Sequence, residues 1–164
     1  IFLPLLVLYI IIFPFISMYL PVKKIYLSYK FSIKDVVFVF FTFVFNLVFI
    51  VNYVLKANWG RVRPNEILQL GGKENFTAWY EYSSICNTNC SFVSGDASVG
   101  FSLIALFFIT KNKFFLWFSL FVGLFLGSIR IMEGGHFVSD ILFAGLLIYV
   151  LSFVQFYFYN SKIK

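Results

Sequence analysis

Charge is scarce in this chain. Only 12% of its 164 residues are Asp, Glu, Lys or Arg, where a soluble domain carries about a quarter. That shortage excludes an ordinary water-soluble fold, because 61% of the residues are hydrophobic and Phe alone occurs 25 times. No aqueous core of this size encloses so much apolar surface, so the solvent has to be lipid. Histidine occurs once and acidic residues seven times, and no cluster of either stands ready to hold a divalent metal. Two cysteines, Cys86 and Cys90, are too few for a structural zinc site. The stretch from Ile1 to Leu20 lacks a basic start and a small-residue cleavage site, so it does not read as a signal peptide.

What remains is apolar runs. Five are visible: Phe2 to Leu20, Asp35 to Leu55, Ala97 to Thr110, Phe114 to Ile129 and Phe137 to Tyr159. Crossing the hydrocarbon takes about 20 helical residues, with about 17 as a lower limit. The third and fourth runs are marginal, but only Lys111-Asn112-Lys113 separates them, which predicts a helical hairpin. The expected fold is an all-α polytopic transmembrane bundle of five spans. Because Ile1 falls inside a hydrophobic run, a missing N-terminal helix would make six. Residues 1–164 read as a single membrane-embedded domain, with an outer loop over 56–93.

Loop charges orient the bundle. Lys23, Lys24, Lys30 and Lys34 share one connection, Lys111 and Lys113 another, and Lys162 and Lys164 the tail. Alternating spans put all three on one side, and positive loops favour the cytoplasm. Glu66, Glu74, Glu81, Asp96, Glu133 and Asp140 fall on the opposite side, against Asp35 alone on the inner one. The net charge of +6 is therefore an orientation signal rather than a nucleic-acid surface. Cys86 and Cys90 lie in the outer loop, where an oxidising periplasm favours a small disulfide ring.

Three polar stretches at outer helix ends need an explanation. The first is Lys56-Ala-Asn-Trp-Gly-Arg-Val-Arg63-Pro64, in which Lys56 and Arg63 stand two helical turns apart and are expected on one face. Pro64 is expected to stop the element at Arg63. Alone, the pair reads as interfacial cations snorkelling to headgroups. The second is Ser91-Phe-Val-Ser94-Gly95-Asp96, where Ser94 or Asp96 suits an N-cap and the free amides of a helix start suit an anion. Alone, it reads as a capped helix. The third runs from Arg130 through His136 to Asp140, four residues apart on one helix face. A carboxylate at membrane depth needs a partner, and a hydrogen bond to His136 is the expected one.

Together the stretches offer three cations, a helix start with a glycine, and a carboxylate-backed histidine on one side. That inventory suits a phosphate, gripped by Arg forks and a Lys charge. His136 is then the nucleophile of a phospho-histidine route, and the cations supply the charge stabilisation that a metal gives elsewhere. A non-enzymatic lipid-binding or carrier protein and a lipid phosphotransferase are the alternatives.

The spacing Lys-x6-Arg-Pro, Ser-Gly before a helix, and Arg-x5-His-x3-Asp resembles the three-part signature of the type 2 phosphatidic acid phosphatase family. The resemblance runs from Lys56 to Asp140, and its wording looks like bacterial lipid A phosphatase-type members. It implies phosphate binding by Lys56, Arg63, Ser94, Gly95 and Arg130, with His136 as nucleophile and Asp140 as its partner. It also implies an integral inner-membrane phosphatase facing the periplasm. Its substrate would be lipid A, undecaprenyl pyrophosphate or a glycerophospholipid phosphate. Apart from that lipid and the bilayer, no cofactor, nucleic acid or obligatory protein partner is implied. Where the family usually reads Pro-Ser-Gly-His, this chain reads Val93-Ser94-Gly95-Asp96. Asp96 is therefore the candidate general acid.

Overall fold

The computed structural model describes residues 31–161. The run from Phe2 to Leu20, Lys23, Lys24, Lys30 and the lysines of the tail lie outside them. The first described helix, α1 (Ile33–Val44), begins where Ser32 and Asp35 form a capping box. The Asp35 carboxylate accepts the Ser32 N–H at 2.8 Å and the Ser32 hydroxyl accepts the Asp35 N–H at 3.3 Å. Without a break α1 widens into a π-helical stretch, Phe45–Lys56. Such widening leaves carbonyls short of donors, and side-chain amides supply them. Asn52 donates to the Leu47 carbonyl at 2.7 Å, and Asn58 to that of Val54 at 2.8 Å.

A long loop with two 3-10 turns follows. Among the described residues it holds no β-strand, only an isolated bridge between Ile67 and Glu74. The chain then re-enters as α2 (Gly95–Phe101) and α3 (Ile104–Thr110), turns, and continues as α4 (Lys113–Met132) and α5 (Val138–Ser161). The expected hairpin is present. Lys111 takes the left-handed conformation at φ 57°, and the Asn112 side chain caps α4 by accepting the Phe114 N–H at 2.9 Å.

Two expectations about the spans change. The run Ala97 to Thr110 is two seven-residue helices rather than one. They part at Ser102, whose hydroxyl bends back to the Val99 carbonyl at 2.6 Å. The fourth run is less marginal than its apolar core suggested, because the helix carries on past Arg130 to Met132. Among the described residues three helices are long and apolar enough to cross a bilayer: Ile33–Lys56, Lys113–Met132 and Val138–Ser161. The pair over Gly95–Thr110 is shorter.

Packing follows the membrane pattern of small residues inside and large ones outside. A Cβ on Gly100 would come within 2.6 Å of the Gly123 backbone, so glycine at both positions lets α2 lie directly on α4. Outward, Phe41, Phe45, Phe49 and Tyr53 stack in sequence with centroids 5.4–5.8 Å apart. Phe121 on α4 and Leu146 on α5 are likewise exposed. Water would penalise that surface; acyl chains do not. Polar ties cross the interior instead. Gln155 donates to Asn46 at 2.9 Å, and Tyr159 donates to Asp35 at 2.6 Å, fastening α5 to the first span at two levels. Interhelical bonds of this kind contribute about 0.6–2 kcal/mol each. The opposite end has its own fastening: Trp79 stacks on Phe143 at 4.2 Å, and Phe76 meets Phe137 edge-on at 5.5 Å.

Candidate active site

All three polar stretches converge at this end of the bundle. The third is built by a turn after α4. Gly134, at φ 67°, lets the chain reverse, so that the Gly135 and His136 N–H groups both return to the Arg130 carbonyl, at 2.9 and 3.3 Å. His136 is thereby set one turn from Arg130 and directly ahead of α5. The ring is buried, at 3% exposure. Its Nδ1 lies 3.6 Å from Asp140 Oδ2 and 3.5 Å from the Ser91 hydroxyl. Nδ1 therefore faces the carboxylate, which leaves Nε2 as the nitrogen for chemistry.

Asp140 is fully buried, and its principal partners differ from the expected one. One oxygen takes an ion pair from Arg61. The other accepts the Ser91 hydroxyl at 2.5 Å and the Phe137 N–H at 2.9 Å. His136 stands beside this network at a distance longer than a hydrogen bond. The physical reason is charge: a carboxylate with no access to water is satisfied better by a guanidinium and two further donors than by one ring N–H. Arg61 is itself enclosed at 2% exposure. It donates to the Ser139 hydroxyl at 2.8 Å and the Thr77 carbonyl at 3.1 Å, and its guanidinium lies 4.3 Å from the Phe137 ring centre. It is a clamp between the 56–93 loop and α5.

Lys56 and Arg63 do meet, but not on a helix face. The helix ends at Asn58 and the chain turns at Gly60, φ 72°. Arg63 is extended (φ −80°, ψ 154°), as the residue before a proline should be, and Pro64 opens a 3-10 turn. The two cations come together across Asn89. Its backbone carbonyl accepts Arg63 Nη2 at 2.7 Å and Nε at 3.2 Å, and its side-chain oxygen accepts Lys56 Nζ at 3.4 Å. Asn89 belongs to a ring closed by the Cys86–Cys90 disulfide.

The second stretch supplies the floor. Ser94 caps α2 by accepting the Ala97 N–H at 3.4 Å, while its own N–H is held by the Asp140 carbonyl at 3.3 Å. A Cβ on Gly95 would stand 3.5 Å from Lys56 Nζ. The ammonium thus stands over the start of α2. Asp96 lies one residue on and forms an ion pair with Arg130, which also donates to Glu133 at 2.5 Å. In this arrangement Asp96 is an acceptor, so acting as an acid requires Arg130 to release it. Among the described residues no three of His, Cys, Asp or Glu converge as metal ligands.

Lys56, Arg63, Ser94, Gly95, Asp96, Arg130, His136 and Asp140 are thus gathered at one end of the bundle. Lys56 lies within electrostatic range of Arg63, Asp96, Arg130 and Asp140 together. Reading the sequence missed Arg61, Ser91 and Asn89. Arg61 and Ser91 left a signal, since a carboxylate at membrane depth asks for a cation and a hydroxyl, and both stood in the stretches already singled out. Nothing in the sequence pointed to Asn89.

A membrane helix bundle with a single histidine, an acid four residues on and three cations at one end is a defined class. Residues 35–164 match the model of the PAP2 superfamily, and the chain belongs to that family. It is 41% identical over 111 residues to the lipid A 4'-phosphatase of Francisella tularensis subsp. novicida, covering 65% of this chain and 50% of that protein. The lipid A 4'-phosphatase of Rhizobium leguminosarum is 33% identical over 102 residues, covering 60% of this chain and 44% of that one. That of Rhizobium etli is 34% identical over 100 residues, covering 57% and 38%. The chain thus spans half or less of the length of these curated relatives. No solved structure matches it.

Proposed function

We propose that this chain is a lipid phosphatase that hydrolyses the phosphate ester of a membrane lipid through a phospho-His136 intermediate. The observation that carries the reading is His136 itself, buried with Nδ1 turned to Asp140 beside a group of cations. In this mechanism Arg63, Lys56 and Arg130 hold the non-bridging phosphate oxygens. Arg130 exchanges its carboxylate partners for the substrate, which frees Asp96. His136 Nε2 attacks phosphorus and the bond to the lipid oxygen breaks. That oxygen takes a proton from Asp96 or from water. Water then attacks the phospho-histidine, releasing phosphate and restoring the ring. Asp140 orients the imidazole and stabilises its positive charge, while Arg61 and Ser91 keep the carboxylate in place.

The lipid A 4'-phosphatase relatives favour a phosphorylated glycolipid as substrate. Purified protein should release phosphate from such a lipid in EDTA, vanadate should inhibit it, and His136→Ala should be inert. Turnover by His136→Ala would instead favour a lipid-binding protein carrying a contaminant. Phosphate passed to a second lipid, with none released, would mark a transferase.

The site would face the periplasm of an inner membrane. Lys34, Lys111 and Lys113 lie at the other end of the helices, and a disulfide suits an oxidising compartment. A cysteine at position 112 should stay shielded from an impermeant maleimide in intact cells; ready labelling would reverse the orientation.

A further inference from the structure

Two of the three cations read as phosphate ligands are held by one residue that carries no charge. Asn89 presents two oxygens to two cations: its carbonyl to the Nε and Nη2 edge of Arg63, its amide oxygen to Lys56. It takes the left-handed conformation, φ 51°, which Asn and Gly adopt readily and β-branched residues do not. Its segment is pinned on both sides. The Cys86 N–H donates to the Gly60 carbonyl at 3.3 Å and the Ser91 N–H to the Arg61 carbonyl at 2.9 Å, so the disulfide ring brackets the strand leading into Arg63. The far end of the guanidinium, Nη1, lies 3.9 Å from where a Cβ on Gly135 would stand, beside His136.

We propose that Asn89, held by the Cys86–Cys90 ring, is a positioning residue that aims Arg63 and Lys56 at the phosphate. The inference rests on the reading of those two residues as phosphate ligands. Two cations this close repel each other and, left free, would swing apart into water. A carbonyl on one edge of the guanidinium fixes its plane and leaves the opposite edge, toward Gly135 and His136, for the substrate. The amide oxygen draws the ammonium to the same side, over Gly95. Preorganisation of this kind raises phosphate affinity without a contact of its own to the phosphate. The simplest alternative is that Arg63 merely staples a surface loop, in which case the ring matters for folding and not for anion binding.

The test uses the whole chain in detergent, with inorganic phosphate as a competitive inhibitor. Replacing both cysteines by serine should raise KM and the phosphate inhibition constant together by roughly tenfold, the worth of one well-placed charge-assisted contact, while kcat falls much less. Asn89→Val keeps the disulfide but disfavours the left-handed backbone, so it should reproduce the loss if the serine variant does not fold. Asn89→Gly keeps the carbonyl on Arg63 and should lose only the smaller share due to Lys56. In an Arg63→Ala background, Asn89→Val should add only the smaller share due to Lys56, because the larger part of its effect passes through Arg63. An unchanged or tighter phosphate constant in Asn89→Val, or an equal loss with and without Arg63, would overturn the inference alone. If Arg63→Ala itself left phosphate binding intact, the phosphate-site reading would fall and this inference with it.

Discussion

Asp35 and Asp140 occupy the same position in two different helices at opposite ends of the molecule. Each stands three residues after the residue that precedes its helix, and each carboxylate reaches back to that residue's N–H, at 2.8 Å to Ser32 and 2.9 Å to Phe137. Both are buried. Helix capping therefore accounts for an acid at both sites and by itself says nothing about function. What differs is the rest of the shell. Among the described residues Asp35 takes hydroxyls, from Ser32 at 2.8 Å and Tyr159 at 2.6 Å. Asp140 takes the Arg61 guanidinium and the Ser91 hydroxyl, and lies beside the only histidine. The same local device, a capping acid, serves as a helix tie at one end. At the other it becomes the anchor of a buried charge network.

Replacing each acid by its amide is the sharpest way to break the comparison. Asp140→Asn leaves Arg61 buried without a charge partner, a loss on the order of 3 kcal/mol or more in stability. It should also cut kcat by up to roughly 10⁴, the loss seen when an orienting carboxylate behind a catalytic imidazole is replaced by its amide. Asp35→Asn should leave kcat unchanged and lower stability by about 1 kcal/mol. Thermal melts and phosphate release on the two variants decide it. Equal effects on kcat would mean that Asp140, too, is only a helix cap.

The contrast also shows how far the sequence could be read. The helical class was plain because apolar runs of sufficient length have few other uses, and the Lys111–Asn112 turn was marked by its polarity. Site positions were legible because the three stretches were too polar for their surroundings. Their geometry was not. The separation of Lys56 and Arg63 suggested a shared helix face, yet Gly60 releases the chain from the helix and Asn89 brings the two back together. Asp140 was paired with His136, one helical turn back; the structure keeps that neighbour at 3.6 Å and adds Arg61, 79 residues away, as the charged partner. Contacts over such separations depend on loop paths, here a disulfide ring and stacked aromatics, for which no periodicity gives a rule.

Asp96 tests the comparison in another way, since it is an acid with a cationic partner but at a half-open position. If it protonates the leaving group, Asp96→Asn should slow a lipid phosphate, a poor leaving group, by roughly 10²-fold. An activated aryl phosphate, which departs without a proton, should be slowed far less. Equal losses on both would make Asp96 a tether for Arg130 instead.

An effect as small as that of Asp35→Asn is expected at Tyr159, and it isolates what the end opposite the site contributes. Its hydroxyl donates to Asp35 at 2.6 Å, joining the end of α5 to the start of α1. Its ring packs on Phe38, with centroids 4.8 Å apart. Tyr159→Phe removes the bond and keeps the ring, so the apolar contact survives. The loss should be about 0.6–1.7 kcal/mol, the range for a hydrogen bond between membrane helices. Turnover should not change, because the site lies a full helix length away and α5 is independently fixed by the bond of Gln155 to Asn46. Melting curves and KM measured on the same preparation check both halves. A raised KM in Tyr159→Phe would mean that the two ends of α5 are coupled, and that Asp35 shares in the work of Asp140.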